Sequence, residues 1–98
     1  MDYELIITVR ASQEVEEAID YYDRIDPKLG TRFLTELSET YKKLSVNPQF
    51  YSYVLSSRKS NIRDTKLKSF PYLIIFEIRE GIVMVISVSN MYKKPFSL

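Results

Sequence analysis

The sequence predicts an α+β fold of order β-α-α-β-β-β, with a helical hairpin packed on one face of a mostly antiparallel sheet. Three observations carry this. A run of alternating apolar and polar residues opens the chain, two apolar stripes at helical spacing follow across a single short break, and two further alternating runs flank a tight turn.

The first run is Tyr3 to Arg10. Tyr3, Leu5, Ile7 and Val9 face one way, and Glu4, Ile6, Thr8 and Arg10 the other, as in a strand with one core face. Ser12 then offers an N-cap, with Glu14, Glu16 and Glu17 in the early turns where the helix dipole favours anions. Val15, Ala18, Ile19, Tyr22 and Ile25 recur at helical spacing, so a helix is expected from about Gln13 to Arg24. Asp26-Pro27 restarts the chain, since Asp caps well and Pro at the first helical position loses no needed N–H. Leu29, Phe33, Leu34, Leu37, Tyr41 and Leu44 form the second stripe, and Asn47-Pro48 ends it. So short a link folds the two helices back on each other. Tyr21, Tyr22 and Tyr41 are expected to pack this hairpin with their hydroxyls at its rim.

Phe50 to Asn61 is polar and has no clear period, which reads as a loop. Ile62 to Lys68 reads as a strand and Ser69-Phe70-Pro71 as a turn, because Pro cannot serve a central ladder. In the next run Tyr72, Ile74, Phe76 and Ile78 alternate with Leu73, Ile75, Glu77 and Arg79. Glu80-Gly81 turns the chain, and Ile82 to Val88 returns as the other arm of an antiparallel hairpin, apolar on both faces and therefore central. With 98 residues there is room for one core, so residues 1–98 are read as a single domain.

Composition excludes several chemistries. There is no histidine, which removes a Ser-His-Asp triad and His-based metal sites, and no cysteine, which removes disulfides and thiolate ligands. Gly-rich phosphate loops and nucleophile elbows are absent, and the carboxylates of the first helix read as a solvated face. No cofactor and no metal are expected. No apolar run approaches the ~20 residues of a membrane span, and Asp2 and Glu4 stand where a signal peptide would be positive. A cytoplasmic protein with no membrane partner is the expectation.

The net charge of +1 conceals an asymmetry. Residues 1–55 carry six Lys and Arg against ten acids, whereas residues 56–98 carry eight against three. The basic half holds Arg63, Lys66, Lys68, Arg79, Lys93 and Lys94. Lysines on an open sheet can track a phosphate backbone or meet an acidic partner. The same lysines on an edge strand can simply deter aggregation, or the fold can interleave the charges. If the strand is regular, Lys66 and Lys68 point one way and Arg63 the other. Tyr92, beside Lys93-Lys94, can stack on a base or exchange a proton with a ribose hydroxyl, or can be a plain tail residue.

Four segments together resemble a known family. "EAIDYYDRIDPKLGTRFLTEL" (Glu17 to Leu37) is similar to the first helix, link and second helix of RelE/ParE toxins, and "LSVNPQFY" (Leu44 to Tyr51) to the end of that second helix. "IRDTKLKSFPYLIIFEI" (Ile62 to Ile78) resembles the family's Arg, its "F-P-Y" turn and the strand after it. "VISVSNMYKKP" (Val85 to Pro95) resembles the last strand and its tail. The resemblance spans nearly the whole chain, and "F-P-Y-x-I-x-F-E-I" is its most specific piece.

The resemblance implies a RelE/ParE-like fold and the toxin half of a type II toxin–antitoxin system (plasmid stabilisation type), a growth inhibitor neutralised by a cognate antitoxin. Operator DNA would be met only through that antitoxin. RelE-like members cut mRNA in the ribosomal A site, and ParE-like members inhibit DNA gyrase. Where many relatives carry a His after the last strand, this chain has Asn90, and Tyr92 and Lys93 stand where Arg residues often follow. As a metal-independent endoribonuclease the chain would use Arg63, Lys66, Lys68, Arg79 and Tyr92. As a binder of antitoxin or target it would use Lys66, Lys68, Arg79, Asn90, Lys93 and Lys94. The hairpin wording and the low net charge lean toward a ParE-like gyrase inhibitor. The alternatives are the RelE-like nuclease and a degenerate, non-toxic antitoxin-binding protein.

Overall fold

A computed structural model describes residues 2–50 and 62–93. Its elements run β1 (Glu4–Ile7), α1 (Val9–Ile25), α2 (Pro27–Val46), a 3-10 turn (Pro48–Phe50), β2 (Ile62–Lys66), β3 (Tyr72–Arg79) and β4 (Ile82–Asn90). The strands form one sheet in the order β1-β4-β3-β2. β2–β3 and β3–β4 are antiparallel, while β1 joins β4 in parallel from Glu4↔Ile82 to Ile7↔Val85. The α-helices cover one face. The expected order and layering are therefore those observed, and the stretch 51–61 of the expected loop lies outside the described residues.

The first boundary differs from the expectation. The strand ends at Ile7 and α1 starts at Val9, because Thr8 rather than Ser12 is the N-cap: its Oγ1 accepts from Ala11 N at 3.1 Å. Val9 continues the alternation in sequence but is 74% exposed at the head of the helix. The second link is as read. Asp26 accepts from Lys28 N at 2.9 Å, Pro27 follows at the first helical position, and Asn47 closes α2. The two helices meet closely at Gly30, where a Cβ would run into the Asp23 carboxylate.

The core lies between hairpin and sheet. Phe33, Leu37 and Leu44 of α2 and Ala11, Ala18 and Tyr22 of α1 meet Tyr72, Ile74, Phe76, Ile78, Val83, Val85 and Val88 of the sheet. At its centre, Tyr22 and Phe70 pack edge to face at 4.9 Å, and Phe33 packs edge to face on Phe70 at 5.2 Å and on Tyr72 at 5.1 Å. Ile25 and Leu34 depart from the expected stripes and are exposed, and Tyr21, expected to pack the hairpin, is exposed with its ring edge to face on Tyr22. Tyr41 is half-buried, and its hydroxyl is buried with no partner among the described residues.

Two predictions follow from this packing. Burial pushes the Tyr41 hydroxyl up to about 12 from its ordinary 10. The folded group ionises later than the unfolded one, so its contribution to stability is intact below pH 10 and is lost as pH rises from 10 toward 12. Tyr41→Phe should flatten that alkaline loss in denaturant titrations, and should stabilise the chain at neutral pH by up to about 1 kcal/mol by removing an unpaired buried hydroxyl. The β3–β4 turn gives the second. Glu80 (φ 47°) and Gly81 (φ 80°) both lie in the left-handed region, as a two-residue hairpin turn requires. Glu80→Asn should raise stability by about 0.5–1 kcal/mol, and Gly81→Ala, which would meet no neighbouring atom, should lower it by about 1–2 kcal/mol through backbone strain alone.

Candidate functional site

The candidate residues fall on three separate parts of the sheet and its edges. Arg63 stands opposite Phe76 in the β2–β3 register, which puts it on the helix-covered face, and it is 8% exposed. Its Nη1 donates to Gln49 O at 3.3 Å, tying β2 to the turn that follows α2. Lys66 stands opposite Leu73 on the other face, and its Nζ donates to Leu67 O at 3.4 Å. Lys68 follows the end of the strand, which stops at Lys66 rather than Lys68. Lys66 and Lys68 line a groove of about 470 Å³ between α2 and β2, together with Arg32, Lys43 and Phe70.

Arg79 lies at the far end of β3. Its guanidinium is exposed and meets Glu77 at 3.1 Å. Six residues of strand separate it from Leu73, the partner of Lys66, or about 20 Å at the usual rise.

Asn90 ends β4 at the opposite end from Arg79. It stands opposite Tyr72; its Nδ2 donates to the Tyr72 hydroxyl at 3.4 Å and its Oδ1 accepts from Tyr92 N at 2.9 Å. The Tyr92 side chain is 86% exposed. Lys93 places its Nζ 5.9 Å from the Tyr21 ring centroid. Asn90 and Lys93 line a smaller cleft of about 200 Å³ with Glu17, Tyr21 and Tyr72. Burial pushes the Tyr72 hydroxyl upward, with Tyr21 and Glu17 adding to the rise against the lowering bond from Asn90. Tyr72 is thus held as a neutral phenol. Lys94 lies outside the described residues.

The structure thus brings Lys66 to Lys68, and Asn90 to Lys93, and keeps both pairs away from Arg79 and from the buried Arg63. Among the described residues, no three His, Cys, Asp or Glu side chains are placed to hold a metal ion. No helix among them is long and apolar enough to cross a membrane.

Sequence reasoning missed Glu14, which it took for part of a solvated helix face. Its Oε1 accepts from Ser87 Oγ at 2.8 Å and from Val88 N at 3.0 Å, and its Oε2 lies 3.7 Å from Arg10 Nε. This carboxylate takes the place of a missing neighbour strand along the part of β4 that leads to Asn90. Nothing in a helical acid four residues after an Arg announces that role.

A family model for the ParE toxin of the type II toxin–antitoxin system parDE matches residues 5–92. The chain belongs to the ParE toxin family. It is therefore a member of the RelE/ParE superfamily, as the four sequence segments suggested. No curated protein matches it. Among solved structures, a chain of the chromosomal ParDE TA system from P. aeruginosa superposes with a TM-score of 0.76 at 16% identity, covering 90% of this chain and 95% of that one. At that identity the likeness is one of fold, and it is the two-layer arrangement described above.

Removing Glu14 should test how far the end of β4 depends on it. Glu14→Ala should cost about 1.5–3 kcal/mol, the range for hydrogen bonds to a charged group, and should speed hydrogen exchange at the Val88 amide. Glu14→Gln keeps one acceptor and should lose less.

Proposed function

We propose that this ParE-family chain is a one-domain cytoplasmic toxin held inactive by a cognate antitoxin, and that the freed chain acts by binding DNA gyrase rather than by cutting RNA. Family membership over residues 5–92 supports the toxin–antitoxin part. The observation that carries the choice of binding over cleavage is the scattering of the would-be catalytic set. Activating a 2′-hydroxyl and stabilising a phosphorane needs basic groups converging within hydrogen-bond reach of one phosphate. Arg63 is buried against Gln49, Arg79 is paired with Glu77 at the far end of β3, and Tyr92 stands out from the end of β4.

In this reading Lys66, Lys68, Arg79, Asn90, Lys93 and Lys94 are contacts for the antitoxin or the target. The groove lined by Lys66, Lys68, Arg32 and Lys43 also holds Glu36 and Glu39, so it suits a segment that is acidic on balance, with a basic or polar residue for the glutamates, and that orders on binding. Operator DNA is reached through the antitoxin.

Expression without an antitoxin should arrest growth, and the purified chain should block gyrase supercoiling of relaxed plasmid while induced cells keep their mRNA intact. Normal supercoiling at high toxin concentration overturns the gyrase target. Cuts in the ribosomal A site, lost in Arg79→Ala, would replace it with the nuclease reading. Harmless expression would leave antitoxin binding as the remaining role.

A further inference from the structure

Four of the seven exposed large hydrophobic side chains among the described residues stand at one end of the molecule. Met91 and Tyr92 follow the end of β4, and Tyr92 is the most exposed of the seven. Tyr21 and Ile25 lie one turn apart on α1, with Cβ atoms about 5–6 Å from each other. Lys93 joins the two pairs, since its Nζ lies 5.9 Å from the Tyr21 ring centroid. A single exposed apolar residue calls for no explanation, whereas a cluster marks a surface that another molecule covers.

The turn that presents Met91 and Tyr92 is held along its main chain. Met91 N donates to Pro71 O at 2.8 Å, Tyr92 N to Asn90 Oδ1 at 2.9 Å and Lys93 N to Asn90 O at 3.3 Å. Asn90 is itself held, because its Nδ2 donates to the hydroxyl of the buried Tyr72. Each of these bonds orders the turn, and none of them buries the Met91 or Tyr92 side chain. The result is an aromatic ring with two torsions standing on a fixed base. Such a ring loses little freedom on association, which is what makes an exposed aromatic an efficient anchor.

We infer that Tyr92 is the anchor by which the toxin engages gyrase: its ring, flanked by Met91 and Tyr21, enters an apolar pocket on that protein, and a carboxylate at the pocket's rim meets Lys93. The inference rests on the gyrase reading above, and it moves Tyr92 from the would-be catalytic set to the target contact. The surroundings favour a protein over a nucleic acid. A tyrosine that stacks on bases works beside cations that hold the phosphates. The cations of the sheet lie elsewhere, Lys66 and Lys68 in the groove between α2 and β2 and Arg79 with Glu77 at the far end of β3. Aromatic and Met side chains with few charges among them are the composition of a protein interface's core. Lys93, which makes no ion pair among the described residues, sets the sign of charge at its rim. The part of Asn90 in this contact is positioning: both ends of its amide are spent on Tyr72 and Tyr92, and they set the main-chain path from which the ring stands.

The test uses the whole purified chain with gyrase and relaxed plasmid. Tyr92→Ala should need about tenfold to a hundredfold more protein to block supercoiling, the loss typical of an aromatic anchor. Its urea midpoint should match that of the unaltered chain, because the ring is exposed. Tyr92→Phe should keep most of the inhibition. Asn90→Ala should weaken inhibition by about threefold to tenfold, the cost of ordering the turn on binding, and should speed hydrogen exchange at the Tyr92 amide. Asn90→Asp should restore both, since its carboxylate still accepts from Tyr92 N. Full inhibition by Tyr92→Ala overturns the inference, and if that variant also fails to co-purify with the cognate antitoxin, the patch belongs to the antitoxin. A loss of inhibition matched by weaker retention of plasmid DNA without gyrase overturns it in favour of nucleic acid. If the unaltered chain leaves supercoiling intact, the gyrase reading itself fails and this inference with it, an outcome that no Tyr92 variant can mimic.

Discussion

Beyond Val85, β4 has lost its strand neighbour on one side, and the structure depends on how that bare edge is closed. β1 pairs only as far as Ile7↔Val85. Thr8 N still donates to Val85 O at 3.1 Å, and there the chain turns into α1. The next residue of β4, Ile86, is extra in the β3–β4 register, which jumps from Phe76↔Val85 to Ile75↔Ser87. The Thr8 hydroxyl donates to the Ile86 carbonyl at 3.0 Å while accepting from Ala11 N, so one side chain both caps the helix and satisfies the bulge. Glu14, a turn and a half further on, takes the Val88 amide and the Ser87 hydroxyl. Backbone groups that cannot be left dry and unpaired thus fix where α1 begins and how it lies against the sheet. The position of Asn90 follows from this, because the same strand end carries it opposite Tyr72.

The aromatic layer completes what that edge starts. With α1 placed by Thr8 and Glu14, Tyr22 reaches Phe70 and Phe33, and Phe33 reaches Tyr72. Phe70 and Tyr72 flank Pro71, so the turn between β2 and β3 is held by the hairpin rather than by the sheet alone. The backbone bond from Leu67 N to Tyr72 O closes the same turn. Lys66 and Lys68 stand just before it, and their shared groove is thereby held open between β2 and α2.

How much of this was legible depends on whether the signal is local. Asp26-Pro27, Asn47-Pro48 and Glu80-Gly81 act through their own backbone preferences, and each marks the boundary it was expected to mark. Most core positions of α2 and β3 follow from period, with Leu34 exposed within the α2 stripe and Ile75 buried on the other face of β3 as the exceptions. The start of α1 does not, because Ser12 is as good a cap as Thr8 until the bulge at Ile86 decides between them, and that bulge is 78 residues away. The parallel pairing of β1 with β4 and the role of Glu14 are non-local in the same way. Arg63 was read with the other cations because its residue type says charge, yet its place opposite Phe76 buries it. Among the described residues, the charge asymmetry of the two halves therefore does not become one basic face. It is split between a buried Arg, a groove, an ion-paired turn and a strand end.

That splitting changes how the described cations act. A uniform basic sheet would bind many polyanions with little discrimination, since its attraction depends on net charge and falls with salt. Here Arg63 is buried and donates to Gln49, Arg79 is paired with Glu77, and Lys66 and Lys68 share a groove between α2 and β2. Each of these cations therefore acts through the contact it already makes more than through a shared long-range field. Arg63 ties β2 to the turn after α2, and Arg79 holds Glu77 beside the β3–β4 turn, so both serve the sheet before they could serve a ligand.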